Sequence, residues 1–130
     1  MPASSPLSGR SVLVLEDNFV LAESMRFALE ELGCRVVGPA PTAARALELV
    51  AEGLPDVAVL DIDLQGKSSA PVAEVLVARG VPFLFLTGYE SAALLPAKFQ
   101  SWTRLSKPVD PEELARALEG EIQRSQGAGS

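Results

Sequence analysis

At 130 residues the chain is long enough for one domain with a real core and too short for a second module of ordinary size. An apolar fraction of 48% with 5% aromatics predicts a core of Val, Leu and Ala, and a formal charge of −6, from 11 basic and 17 acidic residues, argues against direct nucleic-acid contact, which needs Lys and Arg to neutralise phosphates. The absence of histidine excludes Ser-His-Asp catalysis, His-ligated zinc and an internal histidine phosphodonor.

Residues 1–9, rich in Pro and Ser, read as a flexible tail, and residues 10–125 as the single domain. "SVLVLEDN" is an apolar strand closed by acids, followed by Leu21, Met25, Ala28 and Leu32 at helical spacing. "CRVVG" is a second strand. Thr42 is the predicted N-cap of a helix with Ala43, Ala46, Leu47 and Val50 on its inner face, ending at Gly53. "DVAVLD" is the third strand, and the loop "IDLQGKSSAP" leads to a helix carrying Val72, Val75 and Leu76, closed by Gly80.

"VPFLFLTG" is the fourth strand, "YESAALLPAKF" a short helix broken near Pro96, and "SWTRLS" a fifth, less apolar strand. Leu94 and Leu95 on that short helix suit a partner, a dimer or the core equally. The last helix starts with Asp110 as N-cap, Pro111 at its first position and acids in its first turn, and residues 126–130 read as a flexible end.

Cys34 cannot form an internal disulfide, and its strand-start flanks without a basic cluster read as a buried structural thiol. No apolar run reaches the ~18 residues of a membrane span, and "MPASSPLSGR" lacks the pattern of a signal peptide. The expectation is a cytoplasmic protein without membrane contact.

Strand and helix alternate five times, and "VLVL", "VAVL" and "FLFL" are apolar on both faces. That pattern predicts a parallel sheet with helices on both sides, whose ligands lie outside the carboxyl ends of the strands. Four of those ends carry chemistry: Glu16 and Asp17, then Asp61, Thr87 and Lys107. Converging carboxylates repel, and a hard divalent cation, Mg²⁺ or Mn²⁺, keeps them ionised. An Asp beside such a cation is a nucleophile for a phosphoryl group, with Lys107 and Thr87 to hold the transferred oxygens and Gly88 leaving the approach uncrowded. Taken singly, each has a plainer role: Glu16-Asp17 as a helix cap, Thr87 as a turn residue, Lys107 as a solvated strand end.

"VLVLEDN", "PDVAVLDIDLQG", "PFLFLTGY" and "LSKPVDPEEL" together resemble the receiver domains of response regulators in two-component signalling. The resemblance implies a flavodoxin-like (βα)5 doubly wound sandwich with parallel strand order 2-1-3-4-5. It makes Asp61 the phosphoacceptor, Glu16 and Asp17 the acidic pair that binds metal with Asp61, and Thr87 and Lys107 the hydroxyl and lysine of the site. Asp63 becomes the residue whose backbone carbonyl completes the metal shell and whose side chain tunes dephosphorylation. "PFLFLTGY" further resembles a single-domain subgroup with a Phe-Ala-Thr-Gly-Tyr signature, here with Leu86 for Ala.

The implied partners are a histidine kinase, of the HWE or a related family, or a histidine phosphotransfer protein, and an unidentified downstream protein; a dimer formed on phosphorylation is compatible with this reading. The implied role is signalling by contact, with self-catalysed phosphoryl chemistry rather than enzymatic turnover. One position departs from the family: three residues before the lysine, where receivers typically carry Tyr or Phe, stands Arg104. A ring-burying switch is not available there, which leaves Tyr89 as the expected mover and Trp102 as edge packing. Two other readings compete: a degenerate receiver that binds without phosphorylation, and a haloacid-dehalogenase-type phosphatase using the Asp-x-Asp of Asp61 and Asp63.

Overall fold

The computed structural model describes residues 6–88 and 91–128. Five parallel strands form the sheet: β1 Ser11–Leu15, β2 Arg35–Ala40, β3 Val57–Asp61, β4 Phe83–Thr87 and β5 Arg104–Ser106, in the order β2-β1-β3-β4-β5. Four α-helices, α1 Phe19–Glu31, α2 Ala43–Glu52, α3 Ala70–Ala78 and α4 Pro111–Ala128, cover it. This is the flavodoxin-like receiver architecture, in the strand order expected. Because β1 and β3 are buried at every position, their side chains feed two cores. One holds Leu13, Leu15, Leu60, Phe83 and Phe85 beneath α2 and α3, and the other holds Val12, Val14, Val59 and Leu84 beneath α1 and α4.

Local chemistry sets most helix ends. Asn18 Oδ1 accepts from the Leu21 amide at 3.0 Å and caps α1. The acids before it are therefore not the cap. Thr42 Oγ1 accepts from Arg45 N at 3.1 Å and caps α2, while Ala46 and Val50 are buried with Ala43 and Leu47 packed beside them, as predicted. Asp110 Oδ1 accepts from Glu112 N at the start of α4. Gly80, at φ +72°, closes α3.

The α1 stripe is rotated from its predicted register: Ala22, Met25 and Leu29 are its buried residues. Leu7, predicted within a flexible tail, is fully buried, and its carbonyl accepts from the Cys34 thiol at 3.5 Å. Burial of that thiol pushes its pKa up, as an inert structural cysteine requires. Helix α4 continues through Ala128, so the chain is helical beyond residue 125.

The predicted short helix after β4 is replaced by two 3-10 turns, Ser91–Leu94 and Ala97–Phe99. Pro96 between them has no N–H to continue a helix, and Leu95 and Phe99 are buried side chains of the segment. Of the leucine pair, Leu95 belongs to the core and Leu94 is exposed. Trp102 stacks on Phe83 at 5.5 Å, so its role is packing at the sheet edge. A second difference lies after β3, where the predicted loop contains a two-residue antiparallel ladder, Asp63–Leu64 against Lys67–Ser68. Among the described residues no helix is long and apolar enough to cross a membrane.

Candidate functional site

The carboxyl ends of β1, β3 and β5 sit on one edge because all three strands run parallel. The ladder fixes each end. Glu16 N donates to Ala40 O at 3.0 Å, which ties the residue after β1 to the end of β2. Gly38 makes that possible: at φ +95° it lets β2 bulge, and a Cβ there would lie 2.6 Å from Ala40 N. Lys107 N donates to Thr87 O at 2.9 Å, which sets the residue after β5 beside the end of β4.

Three side chains meet there. Lys107 Nζ lies 2.9 Å from Asp61 Oδ2 and 2.9 Å from Glu16 Oε1. Asp61 and Glu16 are both at least 98% buried as residues, and Lys107 is half-buried. Glu16 Oε2 also accepts from Asn18 N at 3.0 Å, and Asp61 Oδ1 from Asp63 N at 3.3 Å. Asp17, half-buried, completes a cluster in which Glu16, Asp17 and Asp61 each offer an oxygen within 4.8 Å of the others. A cavity of about 530 Å³ opens over them, lined also by Asn18, Asp63, Gln65, Gly88 and Lys107.

The electrostatics follow from three acids sharing one ammonium. Burial, then the neighbouring Glu16 carboxylate, pushes Asp61 up to about 7 against the pull of Lys107. Burial also pushes Glu16 up, but its bonds to Lys107, Asp61 and the Asn18 amide outweigh this and leave it below the ordinary carboxylate value. Burial and then Glu16 raise Asp17. Lys107 is raised because its two carboxylate partners outweigh its own burial. A surplus of negative charge on hard oxygen donors, with one acid forced toward protonation, is the environment that a small divalent cation relieves. The donor set fits Mg²⁺ or Mn²⁺: three carboxylates, no sulfur and no imidazole.

Of the residues singled out from sequence, Glu16, Asp17, Asp61, Asp63, Gly88 and Lys107 converge on this cavity. Thr87 lies one strand over, with its hydroxyl donated to the Gly88 carbonyl at 3.1 Å. Arg104 does not reach the site; it is exposed on β5, with Nη1 3.5 Å from Gln100 Oε1. Tyr89 lies outside the described residues. Two lining residues were not foreseen, Asn18 and Gln65. Asn18 had a readable signal, a capping residue directly before the helix, and Gln65-Gly66 had another, a turn pair between Leu64 and Lys67.

A profile of the response regulator receiver domain matches residues 12–119. The chain therefore belongs to that family, the receiver domains of two-component response regulators, which are signalling modules rather than typical enzymes. It is 36% identical to SdrG from Sphingomonas melonis Fr1, whose solution structure superposes with a TM-score of 0.77 over 92% of this chain and 98% of that one. An uncharacterised response regulatory protein of Vibrio cholerae is 31% identical over 111 residues, which are 84% of this chain and 47% of that protein. The phyllosphere-induced regulator PhyR of Methylorubrum extorquens is 27% identical over 110 residues, 82% of this chain and 41% of PhyR. The chain thus spans about half the length of the curated relatives it matches.

Proposed function

We propose that this chain accepts a phosphoryl group on Asp61 from a phosphohistidine and signals by protein contact. The observation that carries the reading is the buried Asp61 carboxylate held 2.9 Å from Lys107 with Glu16 and Asp17 alongside. An Asp61 oxygen attacks phosphorus, the N–P bond of the donor breaks, and the leaving imidazole takes its proton from solvent. Lys107, now shared between two carboxylates, turns part of its charge to the transferred oxygens. The Thr87 hydroxyl exchanges the Gly88 carbonyl for a phosphoryl oxygen.

Glu16, Asp17 and Asp61 would hold Mg²⁺ or Mn²⁺, with the Asp63 carbonyl completing the shell. The cation supplies neutralisation of the charge that builds on the phosphoryl group. The donor is a histidine kinase, of the HWE or a related family, or a histidine phosphotransfer protein, since this chain has no histidine of its own. The receiver of the signal is a further protein. Assignment to the Phe-Ala-Thr-Gly-Tyr subgroup is supported by "PFLFLTGY", and the likeness to SdrG and PhyR accords with it.

Intact-mass spectrometry after incubation with acetyl phosphate and Mg²⁺ tests the reading. The expected result is one phosphoryl adduct, absent without the metal and absent in Asp61→Asn. Exposure of Arg104 where a buried ring would report the change favours one other reading, a module that binds without phosphorylation. No adduct from acetyl phosphate or from a cognate kinase would establish that reading instead. Steady phosphate release beyond turnover of the Asp61 adduct would revive phosphatase chemistry, whose Asp-x-Asp here follows β3.

A further inference from the structure

We infer that Gln65 is a positioning residue for the water that ends the phosphorylated state, an inference that rests on Asp61 as phosphoacceptor. Gln65 is the one non-glycine residue with positive φ among those described, at +56°. With Gly66 at +88° it forms the two-residue turn between the Leu64↔Lys67 and Asp63↔Ser68 pairs. Two consecutive positive φ values are the mirror-image hairpin geometry, where Asn, Asp or Gly is the ordinary first residue. Gln has neither glycine's freedom nor the short side chain that bonds its own backbone, so the fold carries a strained residue at the mouth of the site.

The turn is pinned from below. Gly66 N donates to Asp63 Oδ1 at 2.6 Å, and Asp63 N donates to Asp61 Oδ1. The Gln65 side chain therefore leaves from a point fixed relative to Asp61. It contributes to the wall over Asp61 and to a neighbouring cavity of about 510 Å³, and Asp17 is shared by both. Around Asp61 the other side-chain acceptors are charged or occupied: Glu16, Asp17 and Asp63 are carboxylates, Asp63 Oδ1 also accepts from Gly66 N, and the Asn18 side-chain oxygen accepts from Leu21 N. Gln65 is exposed, and among the described residues its carboxamide has no hydrogen-bond partner, so a donor and an acceptor are both available on a neutral group.

Hydrolysis needs such a group. The attacking water must approach phosphorus opposite the Asp61 oxygen, from the open side of the cavity. A carboxylate there would be repelled by the phosphoryl charge, whereas a neutral carboxamide accepts a hydrogen bond from the water through its oxygen and donates one from its NH2 to a phosphoryl oxygen. The water oxygen bonds to phosphorus and the P–O bond to Asp61 breaks with its electron pair. Asp61 leaves as carboxylate, and both water protons end on the released dihydrogen phosphate.

The test loads the full chain with acetyl phosphate and Mg²⁺, removes the donor, and follows the adduct by intact mass in the unsubstituted protein, Gln65→Gly and Gln65→Asn. Loading is followed in parallel, because the donor's leaving group takes the position opposite the Asp61 oxygen that the water takes in hydrolysis, and decay should change by the larger factor. Decay of Gln65→Gly should be slower by roughly three- to tenfold, a small part of what full positioning of a nucleophile can supply, with Gln65→Asn in between. The melting temperature of Gln65→Gly should be equal or higher, since glycine fits the backbone. Unchanged or faster decay in Gln65→Gly, or a loading rate that falls in proportion to decay, overturns the inference. Absence of any adduct on the unsubstituted protein overturns the Asp61 reading, and this one with it.

Discussion

Two regions of the sheet, the carboxyl ends of β1 and β3 and the segment that joins β4 to β5, are held by different forces. Around β1 and β3 the side chains are charged and buried, and each is fixed by a strand end, an amide or an opposite charge: Glu16 by Ala40, Asn18 and Lys107, and Asp61 by Asp63 and Lys107. Between β4 and β5 the chain is held by apolar packing instead, around Phe83 at the amino end of β4. Two 3-10 turns lead into a three-residue strand, above Phe83, Phe85, Phe99 and Trp102, whose rings meet at 5.2 to 6.2 Å. A reaction that moves a phosphoryl group needs the first construction, because charges must be preorganised before it begins. A surface that changes on signalling suits the second, where short elements rest on a few contacts.

The comparison can be broken most severely at Phe99. Its ring is 2% exposed and touches Phe83, Phe85 and Trp102, so Phe99→Ala should destabilise the fold by about 3–5 kcal/mol. Leu94, exposed on the turn before it, should change stability by less than about 0.5 kcal/mol when cut to Ala. Urea unfolding followed by the fluorescence of Trp102 reads both. A loss below about 1 kcal/mol at Phe99 would mean the turns are anchored elsewhere, and the apolar account of this region would fail.

The acidic region makes an opposite prediction, stabilisation on removing a charge. Asp61 is raised in the fold to about 7 from an ordinary 3.8, so the native state holds a proton that the unfolded chain releases. Metal-free stability should therefore fall as pH rises from about 4 to about 7, and the cost should be complete above that. Asp61→Asn removes the cost. At pH 8 in EDTA it should unfold with ΔG higher by about 1–2 kcal/mol, less than the bare shift converts to because Lys107 loses a partner, and the gain should vanish toward pH 4. Equal stabilities at pH 8 would mean that the ion pair already offsets the burial of the carboxylate.

What could be read in the sequence divides along the same line. Thr42, Gly80 and Asp110 act through bonds to neighbours a few residues away and Pro111 through its fixed φ, so helix ends were legible without tertiary information. Convergence of Glu16, Asp17, Asp61 and Lys107 was legible because parallel topology alone brings strand ends to one edge. The turns after β4 were not. Leu95 and Phe99 are spaced as a helix would space them, and only their packing into the Phe83 and Phe85 cluster, around Pro96, decides otherwise. Leu7 escaped for the same reason: nothing in "SSPLSG" reveals the site beside Cys34 that it fills. Gln65-Gly66 was legible as a turn pair through its glycine, but the left-handed backbone at Gln65 was not, since Gln carries no preference for the conformation that the hairpin imposes on it.

Arg104 gives the smallest expected effect and the sharpest line between the two regions. It stands on β5 three residues before Lys107, yet its guanidinium is exposed and its bond to Gln100 is long at 3.5 Å. Such a residue adds little to the resting fold, so Arg104→Ala should shift stability by no more than about 0.5 kcal/mol in either direction. Loading of Asp61 from acetyl phosphate should also keep its rate, because none of the cavity lining changes. Hydrogen exchange over residues 97–106, compared before and after loading, then separates two ways in which this segment can respond. If the phosphorylation-dependent difference survives in Arg104→Ala, the response is carried by packing of Phe99 and Trp102 under the turns. If it disappears while loading is normal, a charged side chain on the strand surface does what a buried ring would otherwise do. The division between a charged site and an apolar responding segment would then have to be redrawn through β5.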